Sequence, residues 1–190
     1  NPFNYSDTVY ISVIDGEGNA CSLINSLYES FGSGLLVPGT GIFLQNRGSL
    51  FSLENNHPNY LSPKKRPYHT IIPAIATKDE ELWLSFGVMG GFQQPQGHLQ
   101  VVMNMVDFDL KPQQSLDAPR FRVDLDSDYV WLEDQLHEKI SKTLKNFGHP
   151  IKVMSEGMQF GGGQILERKF DSGLIIGGSD SRKDGCVVGW

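Results

Sequence analysis

A chain of 190 residues with 39% hydrophobic content holds enough apolar material for one substantial core. A net charge of −6 and the absence of a basic block exclude nucleic acid as the expected partner. No apolar run reaches the ~18 residues of a membrane span. Cys21 and Cys186 stand far apart without metal-ligand spacing, so two buried thiols are expected rather than a metal or redox site. No metal or cofactor is expected. The first residue is Asn1 rather than Met, and the sequence itself shows no signal-peptide pattern; the expectation is the C-terminal part of a longer product.

Residues Asn1 to Asp7, with Pro2, Asn4 and Ser6, read as an exposed linker. Thr8 to Ile14 then alternate: Val9, Ile11 and Val13 point one way, and Thr8, Tyr10, Ser12 and Ile14 the other. Period two with β-branched and aromatic residues is a strand. Asp15-Gly-Glu-Gly-Asn19 is a turn cluster, and strand character resumes from Ala20 to Leu27, so the unit reads as a hairpin. If Ile14 faces Ala20 across the five-residue loop, paired positions sum to 34 and Thr8 lies opposite Ser26. Directly opposed Cβ atoms lie about 4.5–5.5 Å apart. Two hydroxyls therefore meet at the open end of the hairpin; a plain cross-strand Thr–Ser pair would give the same pattern.

Further along, Phe31 to Gly41 is a glycine-rich loop, and Ile42 to Leu44 a short strand. Glu54 to Lys65 reads as an exposed loop that could act as a lid. Ala74 to Thr77 and Leu82 to Phe86 form a second hairpin around Lys78-Asp-Glu-Glu81. Gly87-Val-Met-Gly-Gly91 leads into a helix beginning near Pro95. Strand, glycine pair and helix in succession leave backbone N–H groups pointing outward, suited to a developing oxyanion or merely to close packing. Ser115 to Pro119 fits a short helix, Arg120 to Val123 a strand, and Val130 to Glu133 another. Asp134 to Phe147 is an amphipathic helix, capped by Asp134 and stopped by Gly148. Ile151 to Met154 is a strand. Gly161-Gly-Gly163 reads as a turn before Gln164 to Arg168, Asp171-Ser-Gly173 as a turn before Leu174 to Gly177, and Cys186 to Val188 as a last strand. His57, His98, His137 and His149 show no ligand or triad spacing.

Taken together, Thr8-x-x-x-Ser12-Val-x-Asp15-x-x-Gly18-Asn-Ala20, Phe31-Gly-Ser-Gly34 and Val37-Pro-Gly-Thr-Gly-Ile42 resemble the small subunit of γ-glutamyltranspeptidases, which are N-terminal nucleophile hydrolases. The resemblance continues through Lys65-Arg-Pro67, Gly90-Gly91, Asp117-Ala-Pro-Arg120 and Gly178-Ser-Asp-Ser-Arg-Lys-Asp-Gly185, and is nearest to the cephalosporin-acylase-like branch. It implies an α+β fold, the four-layer αββα sandwich, in which residues 8–190 form the small-subunit domain and residues 1–7 the end of the pro-segment or large subunit. A larger subunit from the same precursor would complete it. It also implies autocatalytic cleavage of a zymogen between Asp7 and Thr8. The freed α-amine of Thr8, with an ordinary pKa of about 7.7–8.0, would serve as base for its own hydroxyl. By the same resemblance, Ser26 is the supporting hydroxyl and Gly90 and Gly91 are the oxyanion glycines.

The substrate-reading positions depart from the family. Tyr28 stands where the family commonly has Asn, and Gln45-Asn-Arg47-Gly-Ser-Leu50-Phe51 stands where it has Asn-Asn-x-Met-x-Asp-Phe. Leu50 thus replaces the Asp that binds the substrate α-ammonium. His69 and Thr70 replace the paired serines that hold the α-carboxylate. Tyr28, Arg47, His69 and Thr70 are the expected substrate-binding residues. Three functions follow: an N-terminal threonine amidohydrolase or acyltransferase with altered acyl specificity, a true γ-glutamyltransferase acting on glutathione, or an uncleaved, catalytically silent binding or structural module.

Overall fold

The computed structural model describes residues 6–124, 127–154 and 160–190. Strands β1 (Ser6–Ile14) and β2 (Ala20–Glu29) form the expected hairpin. Ile14 pairs with Ala20 and Thr8 with Ser26, so the register sums to 34 as the loop length predicts. The Asp15 carboxylate sets the loop by accepting the N–H groups of Glu17 and Asn19 at 3.0 and 2.8 Å, and the Asn19 side chain at 2.8 Å. That side-chain bond, with the backbone bonds, holds its pKa below the usual carboxylate range. β1 begins at Ser6 rather than at Thr8, so Ser6 and Asp7 belong to the strand and not to a linker; Asn1 to Tyr5 lie outside the described residues.

The short pair β3 (Leu36–Val37) and β4 (Ile42–Phe43) follows. Then come β5 (Ala74–Lys78) and β6 (Glu81–Met89), joined at Asp79 and Glu80, both at positive φ, a tight hairpin turn. Helices α1 (Gln93–Val106) and α2 (Pro112–Asp117) lead to β7 (Phe121–Val123) and β8 (Val130–Leu132). Helix α3 (Asp134–Asn146), β9 (Ile151–Val153), β10 (Gly162–Arg168) and β11 (Ile175–Ser179) complete the chain. The main sheet has the order β11-β10-β6-β5, and a second sheet the order β7-β8-β9, with β8 and β9 parallel.

β6 organises the layers because it is buried on both faces. Leu84, Phe86 and Val88 join Val101, Met105, Leu116 and Ile165 in one apolar cluster against α1 and α2. The residues between them turn the other way, toward the hairpin. Ser12 Oγ donates to Ser85 Oγ at 2.6 Å, and the Tyr10 ring lies against Gly87, where an added Cβ would sit 2.5 Å from it. The order is thus hairpin, sheet, helices. The hairpin's other face is left in solvent: Val9, Ile11, Val13 and Leu23 are 47–59% exposed.

Several local expectations are corrected. The helix near Pro95 starts two residues earlier, at Gln93. The N-cap of α3 is Glu133, not Asp134, and Phe147 falls at its C-cap, 74% exposed, rather than on the packed face. Gly162 and Gly163 are not turn residues but strand, paired with Met89 and Val88, and side chains there would collide with Lys183 and Leu116. Cys186 to Val188 form no strand; Val187 instead covers Gly177. Both cysteines are exposed rather than buried, Cys21 because it shares the outward face of the hairpin with its partner Val13.

Candidate active site

A β-bulge decides how the hydroxyls meet. Asp7 pairs with Tyr28 and Thr8 with Ser26, so Leu27 is the additional residue and the register breaks at the Asp7–Thr8 peptide. Bulges re-aim side chains and cluster beside active sites. Here Thr8 Oγ1 donates to Ser26 Oγ at 3.0 Å, and Ser26 Oγ also accepts the Tyr28 N–H at 2.9 Å. Tyr28 sits at φ +78°, unusual for an aromatic residue and tolerated better by Asn. The Asn that the family favours at this position therefore suits the backbone as well as the substrate. A cavity of about 370 Å³ opens along Thr8, Val9, Asn25, Ser26 and Leu27.

The hairpin that carries this pair packs on β6. Ser12 meets Ser85 and Tyr10 meets Gly87. Along β6 the strand then runs on through Met89 to Gly90 and Gly91. Those glycines adopt φ +134° and +57°, and their carbonyls accept the N–H groups of Gln93 and Gln94 at 3.0 and 3.1 Å, which opens α1. Their own N–H groups are not used in that turn. A Cβ on Gly90 would lie 2.8 Å from Gly161 Cα, so the pair is backed directly by the Gly161 turn.

That turn is held from behind by a buried ionic network that the sequence reading did not single out. Arg120, 1% exposed, donates to Asp180 Oδ2 at 2.6 Å and to the carbonyls of Leu116, Phe160 and Gly161. Asp180 also accepts Gly163 N–H at 2.9 Å, and Arg182 clasps Glu133 at 2.6 and 2.7 Å. Burial pushes the Arg120 guanidinium down from its ordinary value, with Asp180 opposing it. The motifs 117–120 and 178–185 are thus built around opposite charges. Their signal in the sequence is the recurrence of Asp and Arg within each motif.

Of the expected substrate-binding residues, three come together. Arg47, 6% exposed, donates through Nη1 to Thr70 Oγ1 at 3.0 Å, and its Cζ lies 5.2 Å from the centre of the Tyr28 ring. Burial lowers the Arg47 pKa from its ordinary value, while Tyr28 opposes the shift; the Tyr28 phenol is raised, chiefly by burial. His69 is not gathered into this group: it is exposed, and its Nδ1 accepts the Ile71 N–H at 3.2 Å. Among the described residues no cluster of His, Cys, Asp and Glu could hold a metal ion.

The family model described as gamma-glutamyltranspeptidase matches residues 2–190. The chain is 38% identical to the glutathione hydrolase-like YwrD proenzyme of Bacillus subtilis, over 97% of its own length. It is 35% identical to the oxamate amidohydrolase proenzyme of Klebsiella pneumoniae, again over 97%. It spans only 36% of each of these two relatives. Among solved structures, a cephalosporin acylase from Bacillus halodurans superimposes with a TM-score of 0.89 at 50% identity, over 95% of this chain and 34% of that one. A gamma-glutamyltranspeptidase chain from Pseudomonas nitroreducens gives 0.84 at 26% identity, over 95% of this chain and 98% of that one. The shared architecture is the α+β fold of N-terminal nucleophile hydrolases, as expected. The chain belongs to the gamma-glutamyltranspeptidase family, as a small-subunit chain of its cephalosporin-acylase-like branch.

Proposed function

We propose that this chain is the small subunit of a self-processing N-terminal threonine amidohydrolase or acyltransferase, with an acyl specificity altered from γ-glutamyl. The observation that carries the reading is the 3.0 Å contact between Thr8 Oγ1 and Ser26 Oγ at the bulge. In processing, Thr8 Oγ attacks the Asp7 carbonyl carbon and the peptide C–N bond breaks. The resulting ester is hydrolysed by water, leaving the Asp7 carboxylate and the Thr8 α-amine. In turnover, that amine takes the hydroxyl proton as Oγ attacks the substrate amide. The Gly90 and Gly91 N–H groups receive the oxyanion, and the proton passes to the departing amine. Water, or a second amine, then releases the acyl group. One such oxyanion donor elsewhere is worth about 2.7–4 kcal/mol.

Tyr28, Arg47 and Thr70 border the acyl pocket in this reading, with exposed His69 at its rim. γ-Glutamyl transfer is disfavoured by Leu50 and by the buried Arg47 cation, since an α-ammonium would meet no counter-charge there. The large subunit of the same precursor would cover the apolar outer face of the hairpin. Thr8→Ala is expected to leave one uncut precursor by intact mass and to abolish amide turnover. Cleavage at Asp7, or persistent turnover, would falsify the assignment.

A further inference from the structure

Helix α1 is fastened to the edge of the second sheet by glutamines. β7 is an edge strand, paired with β8 on one side only. On its other side Gln100 accepts the Phe121 N–H at 3.0 Å and donates to the Phe121 carbonyl at 2.9 Å. Gln96 does the same for Val123, at 2.8 and 3.0 Å. Each primary amide thus takes the place that a peptide group of a neighbouring strand would fill. The spacing allows it: four residues along a helix rise about 6 Å, and two residues along a strand about 6.6 Å. Gln93, three residues before Gln96 and on the same helix face, adds a bond to the Phe121 carbonyl at 3.1 Å. It is fully buried, and its Cβ lies 3.5 Å from where a Cβ on Gly90 would sit. The packing of Val101 and Met105 in the apolar cluster is non-directional. Hydrogen bonds to successive positions of one strand are directional, and they fix the rotation and axial position of α1. The same stretch also holds the other side of the glycine pair. Arg120, next to Phe121, donates to the carbonyls of Phe160 and Gly161, and Gly161 stands directly behind Gly90.

We propose that Gln93, Gln96 and Gln100 are positioning residues for the oxyanion site, setting the first turn of α1 and with it the direction of the Gly90 and Gly91 N–H groups. The inference rests on the amidohydrolase reading above. Residues 120–123 then act as one rail with two grips: the glutamines of α1 after Gly91, and the Gly161 turn behind Gly90. A helix released from the rail keeps its apolar contacts and its fold, while its first turn is free to rotate.

The test compares the complete, processed enzyme with the double variant Gln96→Met, Gln100→Met, which removes both amides at similar length and helix propensity. Leu84→Ala is the control that lowers stability elsewhere. The first readout is amide hydrogen exchange at Gln93 and Gln94, whose N–H groups bond to the Gly90 and Gly91 carbonyls. In the double variant it should quicken by on the order of tenfold beyond any change in the β6 amides. The second is turnover of whichever of γ-glutamyl, acetyl and phenylacetyl 4-nitroanilide the wild type cleaves fastest. Per folded molecule, kcat should fall by on the order of tenfold to 100-fold with KM unchanged, whereas Leu84→Ala keeps the wild-type kcat. The proposal is overturned if exchange in the first turn only follows that of β6. It is equally overturned if exchange quickens and kcat per folded molecule does not fall, the mark of a purely structural clamp. Should the double variant not fold, Gln96→Met alone, at the exposed end of the ladder, is read in the same way. Failure of the amidohydrolase reading shows elsewhere, as a wild type that cleaves none of the anilides or as turnover persisting in Thr8→Ala, and it takes this proposal with it.

Discussion

The two faces of β6 make unlike contacts. Toward the helices, Leu84, Phe86 and Val88 pack in an apolar cluster. Toward the hairpin, Ser85 and Gly87 meet Ser12 and Tyr10, with Tyr10 Oη and Ser22 Oγ 2.7 Å apart nearby. Packed sheets ordinarily interdigitate apolar side chains about 10 Å apart. Small and hydroxylated residues instead bring the hairpin in close and lock its position by hydrogen bonds. The helix face supplies stability, and the hairpin face fixes the position of the strand pair that carries Thr8 and Ser26.

The largest effect expected on stability belongs to the helix face. Leu84→Ala, at a fully buried position, should cost about 2–5 kcal/mol. Denaturant unfolding of the complete protein measures that cost, and cleavage at Asp7 in the folded fraction should be unaffected. Next is a pH effect on the same face. His98 Nε2 accepts the Val88 N–H at 2.9 Å, because β5 begins opposite Phe86 and leaves Val88 beyond its end. Burial lowers the His98 pKa to about 4 from 6.5. Since the folded value is the lower one, this contribution is complete above pH 6.5 and is lost as pH falls toward 4. It amounts to up to about 3 kcal/mol. His98→Gln, which keeps an acceptor, should flatten melting temperature against pH across that window; an unchanged slope would break the assignment. Smallest in stability is Gly87→Ala, whose methyl meets the Tyr10 ring. It should cost about 1–3 kcal/mol as overpacking, yet, on the function proposed above, slow Asp7–Thr8 cleavage by on the order of tenfold, because the strand that carries Thr8 is displaced. Equal losses of folding and processing in Leu84→Ala and Gly87→Ala would dissolve the distinction between the faces.

The hairpin's register was legible in the sequence, whereas which of its faces is inward was not. Val9, Ile11 and Val13 look like the inward stripe, but the inward residues are Thr8, Tyr10 and Ser12. Cys21, expected to be buried from its isolation in the sequence, lies on the outward face. Arg47 was legible as a substrate-side position only through its place in a family motif; that its Nε and Nη2 lie buried together was not. The Asp180–Arg120 pair spans sixty positions and joins loops whose meeting no local pattern announces.

What the amino-acid order alone determined is what short-range geometry governs: the five-residue turn, the pairing of Thr8 with Ser26, the two β-hairpins and the glycine pair ahead of α1. Backbone torsions, side-chain periodicity and loop length act over a few residues, so they are written locally. Only the tertiary structure decided which face of the hairpin meets β6, how Gly161 is braced behind Gly90, and that Arg47 is enclosed without a counter-charge. Each depends on packing between segments distant in the chain, where volume and desolvation act together on atoms that no single stretch of sequence contains.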